Sequence, residues 1–177
     1  MAKKLPPKIC MTASGFLVDN ERVLLIKHKK LGFWLAPGGH IDDDELPHQA
    51  AEREFWEETG LKVTAVSVGK VMSAKGGKTS YHPLPFAINL HWISQENYQN
   101  RLASSNPTAR HASKIWPKGC EQHLVYVYLV KAVDHLDFKQ NTEETDGIAW
   151  FTLAELEDIE TIPEIKEEAR HALALAR

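Results

Sequence analysis

The feature that most constrains this chain is the spacing of Glu54, Glu57 and Glu58 in a segment, Pro47 to Glu58, whose residues favour a helix. At 3.6 residues per turn, positions i, i+3 and i+4 share one face, so three carboxylates converge. The like-charge pair Glu54/Glu58 costs roughly 0.2–0.5 kcal/mol, and anions in the last turn oppose the helix dipole by roughly another 0.3–1 kcal/mol. Local rules broken twice at one place mark a functional site, and three converging carboxylates suit a hard divalent cation bound through oxygen. Pro47 fits the first helical position, Ala50 and Ala51 are good helix formers, and Gly60 fits the left-handed position past the end. Leu46 is a poor N-cap, so the start is expected to shift or fray by a residue. Ala51 and Phe55 point away from the carboxylates toward a core, Trp56 lies on the flank, and Arg53 borders the acidic face, where it can hold Glu57.

The stretch from Gly39 to Leu61 resembles the Nudix box, G-x5-E-x7-R-E-U-x-E-E-x-G-U, with U a bulky apolar residue. Gly39, Glu45, Arg53, Glu54, Glu57, Glu58 and Gly60 occupy its fixed positions, and Phe55 and Leu61 its apolar ones. Trp34-Leu35-Ala36 before the box and Ala149-Trp150-Phe151 before a late helix extend the likeness loosely over most of the chain. The resemblance implies an α/β class, a Nudix-type α/β/α sandwich with a mixed β-sheet, over residues 1–177 as a single domain; pattern alone reaches α+β. It implies hydrolysis of the diphosphate linkage in a nucleoside diphosphate joined to another group, by water attack on phosphorus. Mg²⁺ or Mn²⁺ held by Glu54, Glu57, Glu58 and the Gly39 carbonyl would neutralise developing charge and acidify the attacking water. The family often draws its general base from a glutamate outside the helix. The candidates are Glu121, Glu143 and Glu144, with Glu54 inside the box; Glu143 and Glu144 are preferred because they sit in a turn before a late strand.

The same residues admit two other readings. A module that senses a nucleotide without turnover would keep the fold, but the intact glutamates count against it. The isomerase branch acting on isoprenoid diphosphates has a degraded box, and neither Cys10 nor Cys120 has an acidic or histidine partner in sequence. Substrate markers are absent or displaced: Lys75 or Gly76 stands where ADP-ribose hydrolases carry a proline, and Tyr81 is the nearest tyrosine to the dinucleoside polyphosphate marker. Pro83-Leu84-Pro85-Phe86 is similar to a motif of the NADH-cleaving branch, whose zinc-binding cysteines are missing.

A net charge of −3 gives no global attraction to nucleic acid or anionic membrane. Two cysteines without metal-like spacing in 177 residues argue against a disulfide scaffold and for a reducing cytoplasm. No run approaches the roughly 20 apolar residues of a membrane helix. A small-molecule partner is therefore expected, with a homodimer left open.

Ile9 to Val18 and Arg22 to His28 read as a hairpin around Asp19-Asn20-Glu21, with Cys10 a buried apolar residue. The run Lys27-His28-Lys29-Lys30 is read as a solvated face. Phe33 to Ala36 is a short strand, and Pro37-Gly38-Gly39 a tight turn close to the ligand. His40 is read as structural or substrate-adjacent rather than a ligand, and Asp42 to Glu45 lacks the spacing of a calcium loop. Strands are expected at Leu61–Val68, Pro83–Trp92, His123–Val130 and Gly147–Phe151, with a flexible turn at Gly76-Gly77-Lys78. Thr152 and Glu155 form a capping box, and a last helix runs from Glu164 to about Ala176 with Ile165, Ala169, Ala172, Leu173 and Leu175 on its buried side. Between Ser94 and Gly119 the chain is polar, carrying Arg101, Arg110, His111, Lys114, Lys118 and Trp116, and reads as an insertion that either forms a substrate lid or is a mobile or oligomer-contacting loop.

Overall fold

The computed structural model describes residues 5–73 and 77–177. Its centre is strand β1 (Ile9–Asp19), long enough to serve several neighbours. β1 runs parallel to β7 (Gln122–Ala132) from Ile9 opposite Gln122 to Leu17 opposite Val130. On its other edge it pairs antiparallel first with β4 (Gly38–His40) and then, at Val18 and Asp19, with β2 (Arg22–His28). Strand β3 (Trp34–Leu35) and strand β8 (Thr145–Thr152) flank β2, while β5 (Val63–Val66) and β6 (Ala87–Trp92) both pair with β7. The sheet is therefore mixed, in the order β3-β2-β1-β7-β5 with β4, β6 and β8 branching from it.

Alternation along the strands divides the core in two. Ala13, Leu17, Leu24, Tyr128 and Val130 face helix α1 (Pro47–Thr59), which buries Ala50, Ala51 and Phe55 against them. Phe16, Val23, Leu25, Val127 and Leu129 face the other way, onto Leu156 of helix α3 (Glu155–Asp158) and Ala169, Ala172 and Leu173 of helix α4 (Pro163–Leu175). A sheet buried on both faces between helices is the α/β/α sandwich expected from the sequence. Gly15 is small for a reason: a Cβ there would press on Val130 and Phe55, where α1 lies close to the sheet.

Several boundaries move. Gly38 and Gly39 form a strand instead of a turn, because β1 approaches so closely that a Cβ on Gly38 would collide with the Ala13 carbonyl and Ser14. Helix α1 does start at Pro47; the Leu46 N–H, which its own side chain cannot help, is accepted by the Gln49 side chain at 3.0 Å. Gly60 closes the helix with φ 72°, its N–H donating to the Trp56 carbonyl. The Thr152/Glu155 capping box forms reciprocally. Gly76 and Lys75 lie outside the described residues.

The Ser94 to Gly119 segment is half ordered helix. Helix α2 (Gln95–Ala103) is capped by the Ser94 hydroxyl, which accepts from the Asn97 N–H, and buries Asn97, Tyr98 and Arg101. Arg101 is committed to Glu121 by a two-pronged ion pair in the interior, and two further N–H groups donate to the carbonyls of Pro6 and Pro107. The second Glu121 oxygen also accepts from the Lys8 N–H. Arg110 donates to the carbonyls of Ile9 and Gly119. Two of the cations offered for substrate contact are thus spent on anchoring the chain's beginning. Because the Arg101/Glu121 pair is fully desolvated, Glu121→Gln is expected to cost about 3–5 kcal/mol in urea unfolding, and the double variant Arg101→Met with Glu121→Leu to recover most of that loss.

Candidate active site

Arg53 organises the acidic face. Its guanidinium takes Glu45 in a two-pronged grip, Nε to Oε1 and Nη2 to Oε2, both at 2.9 Å. Nη1 donates to Glu54 Oε1 at 2.8 Å and to Glu57 Oε2 at 3.1 Å, and Nη2 also reaches the His40 carbonyl at 2.9 Å. One rigid fork therefore ties the loop after β4 to two residues of α1. Glu45, which sequence spacing alone left without a role, is the anchor: it also accepts the Asp42 N–H at 3.0 Å, closing the loop between strand and helix. Arg53 holds its carboxyl below the usual range.

Glu54 and Glu58 are treated differently. Burial raises Glu54 despite its bond to Arg53. Glu58 is only 4% exposed, and burial pushes it up to about 8; the Gly38 N–H donating at 3.0 Å offsets this in part, while the charges of Glu54, Glu144 and Glu57 add to it. Gly39 lies directly against Glu54, and a Cβ there would collide with the Glu54 carboxylate, so glycine makes the room that carboxylate occupies. Glu57, on the rim, remains partly exposed.

The donor set is oxygen only, and Glu54 and Glu58 are more buried than their cationic and N–H partners compensate. Those two facts fit a hard divalent cation, which would supply the missing positive charge. Glu54, Glu57 and Glu58 are the side chains that would hold it.

The turn carrying Glu143 and Glu144 is docked on the end of α1: the Lys139 N–H donates to the Thr59 carbonyl at 2.7 Å and the Asn141 N–H to the Glu58 carbonyl at 3.2 Å. Glu144 is near enough for its charge to act on both Glu54 and Glu58. Glu143 and Glu144 are both exposed, and the Glu143 N–H donates to the Asn141 side chain. Glu121, the third candidate, is removed from contention by its interior pairing with Arg101. Members of the basic run serve structure: Lys29 reaches the Thr142 carbonyl at 2.9 Å, steadying the same turn, and Lys27 pairs with Glu160. Glu52, which sequence reasoning passed over, accepts the Ala65 N–H at 2.8 Å and pins α1 to β5; its partner is a backbone group, so no residue pattern announces it. A shallow groove of about 670 Å³ beside Asp43, Asp44, Glu52 and Trp56 reaches Glu45 and Arg53 but includes none of Glu54, Glu57 or Glu58.

Comparison with known proteins agrees with this geometry. The sequence model of the NUDIX domain matches residues 9–175. A MutT-like protein of Streptomyces ambofaciens is 39% identical over 133 residues, covering 75% of this chain and 80% of that protein. An 8-oxo-dGTP diphosphatase of Proteus vulgaris is 40% identical over 57 residues, covering 29% of this chain and 51% of the relative. A crystal structure of a NUDIX-family hydrolase from Clostridium perfringens superposes with a TM-score of 0.65 at 25% identity, covering 94% of this chain and 97% of that one.

The Glu58 environment makes stability depend on pH. A carboxyl raised from about 4.5 unfolded to about 8 folded binds its proton more tightly in the native state, so its contribution is whole below pH 4.5 and lost as pH rises through 8. Without divalent cations, Glu58→Gln should therefore melt above the parent at pH 8.5, with the gap closing near pH 4.5. Mg²⁺ should raise the parent's melting temperature at pH 8.5 much more than that of Glu58→Gln; thermal scans at the two pH values read both effects.

Proposed function

Because the chain belongs to the Nudix family and is a pyrophosphohydrolase of that family, we propose that its acidic face hydrolyses the diphosphate linkage of a nucleoside diphosphate joined to another group, using Mg²⁺ or Mn²⁺. Family members generally use divalent metal ions. The observation that carries the reading for these particular residues is the buried, undercompensated carboxylate pair Glu54 and Glu58 on an oxygen-only face. A diphosphate brings more negative charge to that face, so substrate and carboxylates can meet only with a cation between them.

The bound ion supplies charge neutralisation at the diphosphate oxygens and a lowered pKa for water. The chain's own residues do the rest. Arg53 holds Glu54 and Glu57 in the orientation required and keeps the loop through Glu45 closed over the helix start. Glu58 is fixed by the Gly38 N–H, so its carboxylate does not need to reorganise when substrate arrives. The Gly39 carbonyl is the further oxygen donor in this reading. Glu144 is the general base in this reading: it stands on a turn tied to the helix end, and its charge acts on Glu54 and Glu58. The reading puts residues 1–177 to work as one domain on a small molecule in the cytoplasm. Among the described residues no helix is long and apolar enough to cross a membrane. The exposed residues His111, Lys114 and Lys118 after α2 remain available to meet the part of the substrate beyond the diphosphate.

Removal of divalent cations should abolish turnover, and Glu57→Gln and Glu58→Gln should each lower kcat by orders of magnitude with the fold retained. A panel of nucleotide sugars, dinucleoside polyphosphates, ADP-ribose and oxidised deoxynucleoside triphosphates, read by phosphate or mononucleotide release, tests the substrate class. Full activity of Glu58→Gln in EDTA sinks the proposal. For the base, Glu144→Gln should lose the ascending limb of the pH–rate profile and roughly 10²–10⁴-fold in rate, with Glu143→Gln near the parent; the reverse result transfers the role to Glu143.

A further inference from the structure

A second constellation lies on β1, β4 and β7. Cys10 and His123 are direct partners across the parallel β1/β7 pair, His40 ends β4 opposite Thr12, and Cys120 precedes β7 by two residues. One ligand atom from each of Cys10, His40, Cys120 and His123 falls within 4.8 Å of every other. Cys10 Sγ and Cys120 Sγ are 2.8 Å apart, and His40 Nε2 is 3.1 Å from Cys120 Sγ. The His40 and His123 rings stand edge to face with centroids 5.0 Å apart. His123 Nε2 is buried and has no hydrogen-bond partner, and neither does the buried hydroxyl of the neighbouring Thr12. Both cysteines are free.

We propose that Cys10, His40, Cys120 and His123 form a closed, four-coordinate zinc site that staples β1, β4 and β7 together. Two thiolates and two imidazoles are the donors zinc takes in structural sites, whereas the oxygen-only face of α1 selects a hard ion. Metal–ligand bonds of about 2.3 Å to sulfur and about 2.0–2.1 Å to nitrogen put tetrahedral ligand atoms roughly 3.3–3.8 Å apart. The contacts at 2.8 and 3.1 Å and the 4.8 Å limit bracket that range, so modest side-chain adjustment seats the ion. Two thiolates neutralise its charge; without the ion, burial and the adjoining Cys10 thiol push the Cys120 thiol up to about 12, an effect the charges of Arg110 and Lys118 only partly offset, so binding displaces the thiol protons. Spacing rules miss the site because its ligands come from three separate elements. The local hint in the chain is the Cys120/His123 pair with two residues between, which corrects the reading of Cys120 as lacking a histidine partner in sequence.

The staple has a consequence for the catalytic face. β4 carries the Gly38 N–H that holds Glu58 and the His40 carbonyl that accepts from Arg53, so an ion on the His40 ring fixes the strand from which both bonds depart. The zinc site itself uses no carboxylate and stands or falls independently of the proposed reaction.

The test uses the whole chain, reduced and stripped of metal, titrated with Co²⁺ under argon with Mg²⁺ in excess. Expected are a near-ultraviolet thiolate-to-cobalt charge-transfer band and tetrahedral visible bands that saturate at one Co²⁺ per chain, bleach on addition of Zn²⁺, and accompany a rise in melting temperature. Glu58→Gln and His91→Gln should keep the bands. Cys120→Ser should lose them, and since Cys120 is buried, the half-buried Cys10→Ser provides a second variant that should behave alike while retaining the parent's circular dichroism. Absence of the charge-transfer band in the parent, its persistence in both cysteine variants, or a Cys10–Cys120 disulfide in protein isolated anaerobically would each overturn the proposal.

Discussion

Everything on the acidic face depends on how one cation is shared among too many anions. Among the described residues Arg53 is the only side chain bonded to Glu45, Glu54 and Glu57, and it adds the His40 carbonyl. Its planar fork divides the acidic residues by role. Glu45, gripped by two hydrogen bonds, is neutralised and becomes a structural clasp; Glu54 receives one bond and stays raised by burial; Glu58 receives none from Arg53. A lysine, with a single point of charge, could not close the loop and orient the helix at once. The uneven sharing leaves a deficit of positive charge at the place where a diphosphate and its cation would meet.

The sheet makes that arrangement stiff. β1 is bonded to β7 along one edge and to β4 and then β2 along the other, and α1 is pressed on it through Ala50, Ala51 and Phe55. Gly15 and Gly39 allow helix and strand to come this close, one by sparing Phe55 and Val130, the other by leaving space for Glu54. The carboxylates therefore project from a helix whose opposite face is fully buried, and the cost of crowding them is met by core packing on that face.

At the other end of β1 a different buried charge does a different task. Arg101 and Glu121 join α2, the entrance to β7 and the segment before β1. Such a pair adds little net stability over apolar residues, but it admits few alternative registers, because any slip would leave a desolvated charge alone. Cys10, His40, Cys120 and His123 gather beside this junction, where the start of β1, the end of β4 and the start of β7 come together.

The acidic face was legible in the chain because its three glutamates lie within five residues, and helix geometry alone converts that spacing into a common side. The C-terminal end of α1, the buried residues of α4, the long apolar β7 and the Thr152/Glu155 box were readable for the same reason: each is a local periodicity or a local hydrogen bond. What could not be read involves partners far apart in sequence. Gly38 and Gly39 look like a turn until β1 is placed beside them, its Ala13 carbonyl 2.5 Å from where a Cβ on Gly38 would stand, and then they are strand. Arg101 looks like a solvated loop cation until Glu121, twenty residues on, is found in the same interior. Glu143 and Glu144 were equivalent as neighbours in a turn and are separated by the docked turn, from which the charge of Glu144 acts on Glu54 and Glu58. Sequence by itself determined which chemical groups share a helix face, since that needs only the helical repeat. The tertiary structure decided which of those groups are buried, which are neutralised, and which distant residues join them, because desolvation and charge pairing depend on neighbours that the local chain does not contain.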